Sequence, residues 1–138
     1  MNSIEMIKEM KRIKEFMKEF EKYNDLGHWT INDNMEVDVD GDINLCGYFF
    51  YKRSEDQIKL PIQFGKVTGM FSISQNRLIS LKGCPETVGG NFYCYDNCLT
   101  SLEYSPKYVG GNYVHGKSDI KFSRENVEKV CKVVGKSG

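Results

Sequence analysis

The chain has 138 residues, 28% of them charged and 40% apolar, and its 19 Lys plus Arg balance 19 Asp plus Glu. That is the composition of one soluble domain, large enough to bury a core without disulfide or metal staples. Neutrality removes any general attraction to nucleic acid or anionic lipid, and no stretch comes near the ~18 apolar residues that span a bilayer, so neither nucleic acid nor a membrane is expected as a partner. The opening MNSIEMIKEMKRIKEF interleaves charge with apolar residues and does not read as a secretory leader. Five cysteines, an odd number, then read as reduced thiols, and the expected location is cytoplasmic.

In chain order, the first element is an amphipathic helix from the N-terminus to Tyr23. Met6, Met10, Ile13, Met17 and Phe20 recur at spacings of four and three, with Ile7, Phe16 and Tyr23 widening the stripe. Glu5–Lys8 and Glu15–Lys18 are opposite charges three apart. Asn24-Asp25-Leu26-Gly27 supplies turn chemistry, so residues 1–26 form one unit. Such a stripe caps the exposed end of a neighbouring repeat array, or else serves as a partner-binding or dimerising arm.

Residues 37–116 are that array, with a unit of about 21 residues. Sliding one unit onto the next lays Leu81, Pro85, Val88, Gly89, Gly90 and Phe92 on Leu102, Pro106, Val109, Gly110, Gly111 and Tyr113. The same step backwards brings Leu60, Val67, Gly69 and Phe71 onto Leu81, Val88, Gly90 and Phe92, while Asn76 and Leu78 meet Asn97 and Leu99. An earlier copy, Val39-Asp-Gly41-Asp-Ile43-Asn-Leu45, stands further upstream than one unit, which places a short insertion around Tyr51–Gln57. The fold class is therefore α+β: a short solenoid with four short parallel strands, capped by an N-terminal and a C-terminal helix. Side chains alternate across a strand, so Phe92 and Cys94 face inward and Tyr93 and Tyr95 outward. The Gly-Gly pairs are expected to make a tight turn before each strand, and the preceding Pro an extended connection.

A second helix closes the chain over 122–134, with Ser123 as N-cap and Phe122 with Val127 as a hydrophobic staple. Val127, Val130, Val133 and Val134 give its apolar face, and Gly135-Lys136-Ser137-Gly138 reads as a frayed end.

The run Phe92-x-Cys94-x-x-Asn97-x-Leu99-x-x-Leu102 resembles the leucine-rich-repeat signature, in which the Asn side chain bonds the backbone of adjacent turns. That Asn stands at positions 76 and 97, with Tyr48 and Ser118 in the terminal copies. More specifically, Leu78-Ile-Ser-Leu81-Lys-Gly83-Cys-Pro85-Glu-Thr-Val88-Gly-Gly90-Asn-Phe92-Tyr-Cys94-Tyr-Asp-Asn97 looks like a unit of a leucine-rich-repeat family common in tailed bacteriophage genomes. Trp29-Thr-Ile31-Asn32, Val39-Asp-Gly41-Asp42 and Leu60-Pro61-Ile-Gln-Phe64-Gly65 extend the likeness over about residues 29–116. It departs from the pattern at Thr68-Gly69, where Gly-Gly is usual, and at His115, where Cys is usual. The resemblance implies a phage-encoded accessory protein in the host cytosol and, by analogy of fold alone, protein binding; the family carries no activity to transfer.

Chemical constellations are thin. Cys84, Cys94, Cys98 and His115 fit no usual zinc spacing, and Cys94 and His115 share the inward column of Leu45 and Ile73. Glu36-x-Asp38-x-Asp40-Gly41 echoes the front of a calcium loop, but Gly47 stands where the bidentate Glu belongs. No nucleophile elbow, zinc-protease helix or phosphate loop is present, and His28 and His115 have no nucleophile arranged beside them beyond a conceivable Cys98–His115 pair. Catalytic residues, metal ligands and cofactors are accordingly not expected.

The outward columns are left as the candidate site: Asn44, Ser72, Tyr93 and Val114, flanked by Asp42, Met70, Asn91 and Asn112, and by Cys46, Ser74, Tyr95 and Gly116. The binding residues expected from them are Tyr93, Tyr95, Asn91, Met70, Asn112, Asp42 and Asn44, since aromatics on an open sheet suit recognition of a protein. The expected function is a non-enzymatic module that binds and modulates a host protein, such as a defence enzyme. Two alternatives stay open: a small enzyme or binder of metal or nucleotide using Cys98, His115 or the Asp38–Asp42 strand, and a self-assembling structural homo-oligomer.

Overall fold

The computed structural model describes residues 1–51, 59–116 and 121–138. The insertion placed around Tyr51–Gln57 lies, apart from Tyr51, outside the described residues, as does Ser118.

Helix α1 runs Ser3–Glu21, with the Asn2 side chain accepting the Glu5 backbone N–H as N-cap. Of the expected stripe only Ile13, Met17 and Phe20 are fully buried. Phe16 stacks on Phe49, and Phe20 meets Tyr48 edge-on at 5.0 Å. Met6, Ile7 and Tyr23 are exposed instead of widening the buried face. The helix therefore caps the first coil with its C-terminal half and projects its first two turns. Its charge pairs are Glu9–Arg12, Lys11–Glu15 and Glu19–Lys22, not the two expected.

The boundary at residue 26 needs correction. The chain turns just after Glu21, and Leu26 opens strand β1 (Leu26–Ile31), antiparallel to β2 (Val37–Asn44) with Trp29 opposite Val39. LGHWTI carries Trp, Thr and Ile, which suit a pleated surface. Its glycine is sterically required: a Cβ on Gly27 would stand 2.1 Å from the Asp40 carbonyl oxygen.

Next come α2 (Tyr48–Tyr51), β3 (Phe64–Val67), β4 (Phe71–Ser72), β5 (Thr87–Val88), β6 (Phe92–Tyr93), β7 (Tyr108–Val109) and β8 (Tyr113–Val114). They form a parallel-strand β-solenoid of about three turns, in the expected registers. Long β2 serves two ladders. One runs β2-β3-β5-β7 through Val39, Val67, Val88 and Val109; the other runs β2-β4-β6-β8 through Ile43, Phe71, Phe92 and Tyr113. Each copy after the first thus contributes two short strands, not the single one expected.

The Gly-Gly pairs divide those two strands, but they make no left-handed turn: none of Gly89, Gly90, Gly110 and Gly111 has a positive φ. Their reason is proximity. A Cβ would lie 2.2 Å from the Thr68 carbonyl oxygen at Gly89 and 2.3 Å from that of Gly89 at Gly110. The coils lie so close here because Gly89 N–H donates to Val67 and Gly110 N–H to Val88, each at 2.8 Å.

Inside, like stacks on like: the valine ladder, the Ile43–Phe71–Phe92–Tyr113 column, the leucines at 60, 81 and 102, and Leu78 on Leu99, all buried. Asn76 and Asn97 bridge coils as the resemblance implies. Asn97 Nδ2 donates to Ile73 and Cys94 carbonyls, and its Oδ1 accepts the Asn76 and Leu78 N–H groups. Asn76 does the same with Leu45, Ile73 and Phe49.

The C-terminal helix is much shorter than expected. Helix α3 covers Arg124–Glu128, with Ser123 as N-cap in a capping box and Val127 buried. Then Lys132–Val133 forms β9, paired in parallel with β7 through Val133 and Val109. Gly135-Lys136-Ser137-Gly138 is not frayed: Tyr113 N–H donates to Lys136 at 2.8 Å, and Gly116 N–H to Gly138 at 2.7 Å. Residues 132–138 are a further rung, so Val130 and Val134 face solvent instead of completing a helical stripe.

Candidate functional site

The ladder β2-β4-β6-β8 presents the outward columns as the registers require, with Asn44, Ser72, Tyr93 and Val114 abreast. Exposure within it is uneven. Ser72 and Ser74 are buried on a nominally open face, whereas Tyr93 and Tyr95 are half-buried and meet edge-on at 6.3 Å. Tyr95 N–H donates to the Ser74 hydroxyl. Burial pushes the Tyr95 phenol up from its ordinary pKa, and the nearby Cys46 thiol and Asp96 push it the same way. The Tyr95 side chain reaches back across the neighbouring coil to Ser74 and Cys46. The face is therefore an edge-on aromatic pair beside buried serines, not a row of free side chains.

The flanking column plays a different part. Asp42 Oδ1 accepts the Met70 N–H at 2.7 Å, Asn91 Oδ1 that of Asn112 at 2.8 Å, and Asn112 Oδ1 that of Lys136 at 2.9 Å. These side chains carry the ladder across the glycine gap. The Asn91 amide also donates to the Tyr93 hydroxyl, which orients that ring. Asn44 accepts the Cys46 N–H in a local turn. Of the seven expected binding residues, Tyr93, Tyr95 and Met70 therefore present surface not already committed to a rung-to-rung bond. The polar four are partly or wholly spent on the fold, because an Asx residue beside an unpaired amide is its nearest acceptor.

The acidic strand and the second histidine are also engaged by the fold. Glu36, Asp38 and Asp40 flank or lie on β2 in extended chain, not a loop. Asp38 accepts the Lys66 N–H, and Asp40 the Thr68 hydroxyl. His115 is buried with its ring between Tyr113 and Phe122. Among the described residues, no three of His, Cys, Asp and Glu are grouped to hold a metal ion.

The cysteines are all free thiols, with Cys84, Cys94 and Cys131 buried and Cys46 and Cys98 half-buried. Burial pushes Cys94 up to about 12 and Cys131 up to about 11. A thiol held protonated in the fold ionises earlier once unfolded, so its contribution is intact at neutral pH and is lost as pH rises from about 9 towards 12. Stability measured by denaturant should accordingly fall over that alkaline window, and less steeply in Cys94→Ala compared with its own neutral value. Iodoacetamide at pH 8 should label Cys46 and Cys98 well before the other three, since the thiolate is the nucleophile; rapid labelling of Cys94 in folded protein would contradict its place in the core.

One feature of the site was missed in the sequence. At the end of the strand face Gly47, Gln75 and Asp96 stack with left-handed backbone, φ 71°, 61° and 54°. With Phe50 and Arg77 they line a shallow depression of about 310 Å³, in which the Arg77 guanidinium sits 4.5 Å from the Phe50 ring centre. The alignment of Gly47 with Gln75 and Asp96 at the repeat spacing was the available signal.

No protein-family model, curated protein or solved structure matches the chain. Among the described residues no helix is long and apolar enough to cross a membrane. The class that fold and site define is thus a capped parallel β-solenoid with an aromatic strand face.

Proposed function

We propose that the chain is a non-enzymatic protein-binding module of the phage leucine-rich-repeat kind, which engages a host protein, such as a defence enzyme, through the β2-β4-β6-β8 face. The observation that carries this reading is the half-buried Tyr93–Tyr95 pair, edge-on at 6.3 Å, on a strand face whose neighbouring Ser72 and Ser74 are buried. Rings held in this way lose little conformational freedom on binding, and such aromatics are enriched at interface centres. The leucine-rich-repeat identity is supported by the Asn76 and Asn97 bonds and by the motif spacing.

The test is an affinity capture of tagged protein from infected and uninfected bacterial lysate, beside the Tyr93→Ser/Tyr95→Ser variant. One stoichiometric protein should be captured and should be lost in the double variant, with a melting temperature lowered by only a few degrees. Retention of that protein by the variant would remove the strand face from consideration. Bound metal or a nucleotide-induced thermal shift would favour the small-ligand reading instead.

A further inference from the structure

Helix α1 carries a second surface that the capping role does not use. Its first turns are exposed, including Ile4 at 65%, Met6 at 42% and Ile7 at 69%. An open groove of about 560 Å³ runs along the helix from Met6 to Lys18, its apolar lining supplied by Met6, Ile7 and Met10 of α1 and by Met35. Met35 reaches it from the tight β1–β2 connection, where it holds a left-handed backbone at φ 59°. That turn is fixed by Asn32, whose Oδ1 accepts the Asn34 and Glu36 N–H groups. Met35 packs in part against the core, and its remaining surface lies beside the half-buried Met10 and the exposed Met6 and Ile7.

The charges bordering this groove are one-sided. Lys11, Lys14 and Lys18 line it with a single acid, Glu15, which stands 4.0 Å from Lys11. The other acids of the helix are turned away or engaged: Glu9 with Arg12, Glu19 with Lys22, and Glu21 with the Trp29 indole. Among the described residues, Lys14 and Lys18 have no acidic partner within 4.0 Å. In a chain neutral overall, an apolar channel with a cationic rim is a local asymmetry. Methionine floors adapt to varied apolar side chains, and an adjacent row of lysines selects acidic neighbours of those side chains.

We infer that the α1–Met35 groove docks an acidic amphipathic segment of a partner protein, whose apolar residues enter between Met6, Met10 and Met35 while its carboxylates meet Lys11, Lys14 and Lys18. This surface is distinct from the Tyr93–Tyr95 face and requires nothing of it. An open apolar groove along a helix suits an amphipathic helix or extended peptide.

The probe is a fluorescein-labelled synthetic amphipathic peptide about four helical turns long, Leu at helical spacing and Glu elsewhere, titrated with the full chain and read by anisotropy. The comparison is the same peptide with Lys in place of Glu. Binding of the acidic peptide at about 10–100 µM is expected, weakening roughly fivefold or more between low salt and physiological ionic strength. The basic peptide should bind at least tenfold more weakly. Lys11→Glu/Lys14→Glu/Lys18→Glu should lower the acidic peptide's affinity by at least tenfold and raise that of the basic one. Ile7→Gln/Met6→Gln, on exposed positions where folding is not at stake, should weaken the acidic peptide without altering the charge preference. Tyr93→Ser/Tyr95→Ser should leave both unchanged, which separates this site from the strand face. Equal binding of the two peptides, or none, would overturn the inference. So would binding confined to vesicles with anionic lipid, or a dimer in sedimentation that Ile7→Gln dissolves, since the occupant would then be a membrane or a second copy.

Discussion

Asn97→Ala should lower the melting temperature by roughly 10–15 °C, about 4 kcal/mol for a chain of this size. Asn97 is 5% exposed and ties two coils together, its Nδ2 donating to the Ile73, Cys94 and Tyr95 carbonyls and its Oδ1 accepting the Asn76 and Leu78 N–H groups. Alanine removes little volume but leaves the Asn76 and Leu78 N–H groups and the Ile73 and Cys94 carbonyls without that partner in a dry interior. Each orphaned group costs about 1–3 kcal/mol, which outweighs the small loss of packing. Asn97→Asp should be no better, because it keeps the acceptor, loses both donors and buries a charge. Asn112→Ala is the internal control: its Oδ1 also serves the next rung, through Lys136, but it is exposed and water can replace it. That change should cost less than about 1 kcal/mol. Differential scanning calorimetry on the three variants decides the matter, and equal losses at positions 97 and 112 would show that burial is not what makes the ladder matter.

Gly110→Ala should cost about 3 kcal/mol or more, or abolish folding, although it adds one methyl group to a backbone with ordinary dihedrals. The new Cβ would stand 2.3 Å from the Gly89 carbonyl oxygen and 3.1 Å from its carbonyl carbon. Gly89 cannot withdraw, because its own Cα faces the Thr68 carbonyl in the same manner. Relief requires the coils to part, which breaks the Gly110-to-Val88 and Gly111-to-Gly90 bonds that define the stacking distance. Gly138→Ala, with nothing within 4 Å of its Cβ, should change stability by less than about 0.5 kcal/mol. A Gly110→Ala protein that melts with the parent would mean that the coils are not in this register.

The periodic features of this protein were open to inspection because stacking imposes them. A column of buried side chains one coil apart must be filled at every coil. Val67, Val88 and Val109, or Asn76 and Asn97, therefore recur at one fixed spacing, and the register comes by subtraction. The same logic located β2 upstream of the insertion, with Val39 on Val67. The outward placement of Tyr93 and Tyr95 came from alternation alone. The rung at the C-terminus was hidden for the converse reason. Val133 stands further along the chain from Val109 than one repeat unit, and Ser137 occupies the place where Phe or Tyr stood. Its valines at 127, 130, 133 and 134 also mimic a helical stripe.

What the sequence determined by itself is the solenoid, its registers and the inward and outward sets, since each is a period that a single chain must display to stack on itself. What only the tertiary structure decided is local and depends on distance between coils. The glycines are there for contact and not for a turn, β1 pairs with β2, and Asp42, Asn91 and Asn112 are committed to the neighbouring rung. Ser72 and Ser74 lie buried where alternation made them exposed, and Met35 comes to line a groove with Met6 and Met10. None of these has a period, because each arises where two remote segments approach, and approach is a property of the folded chain.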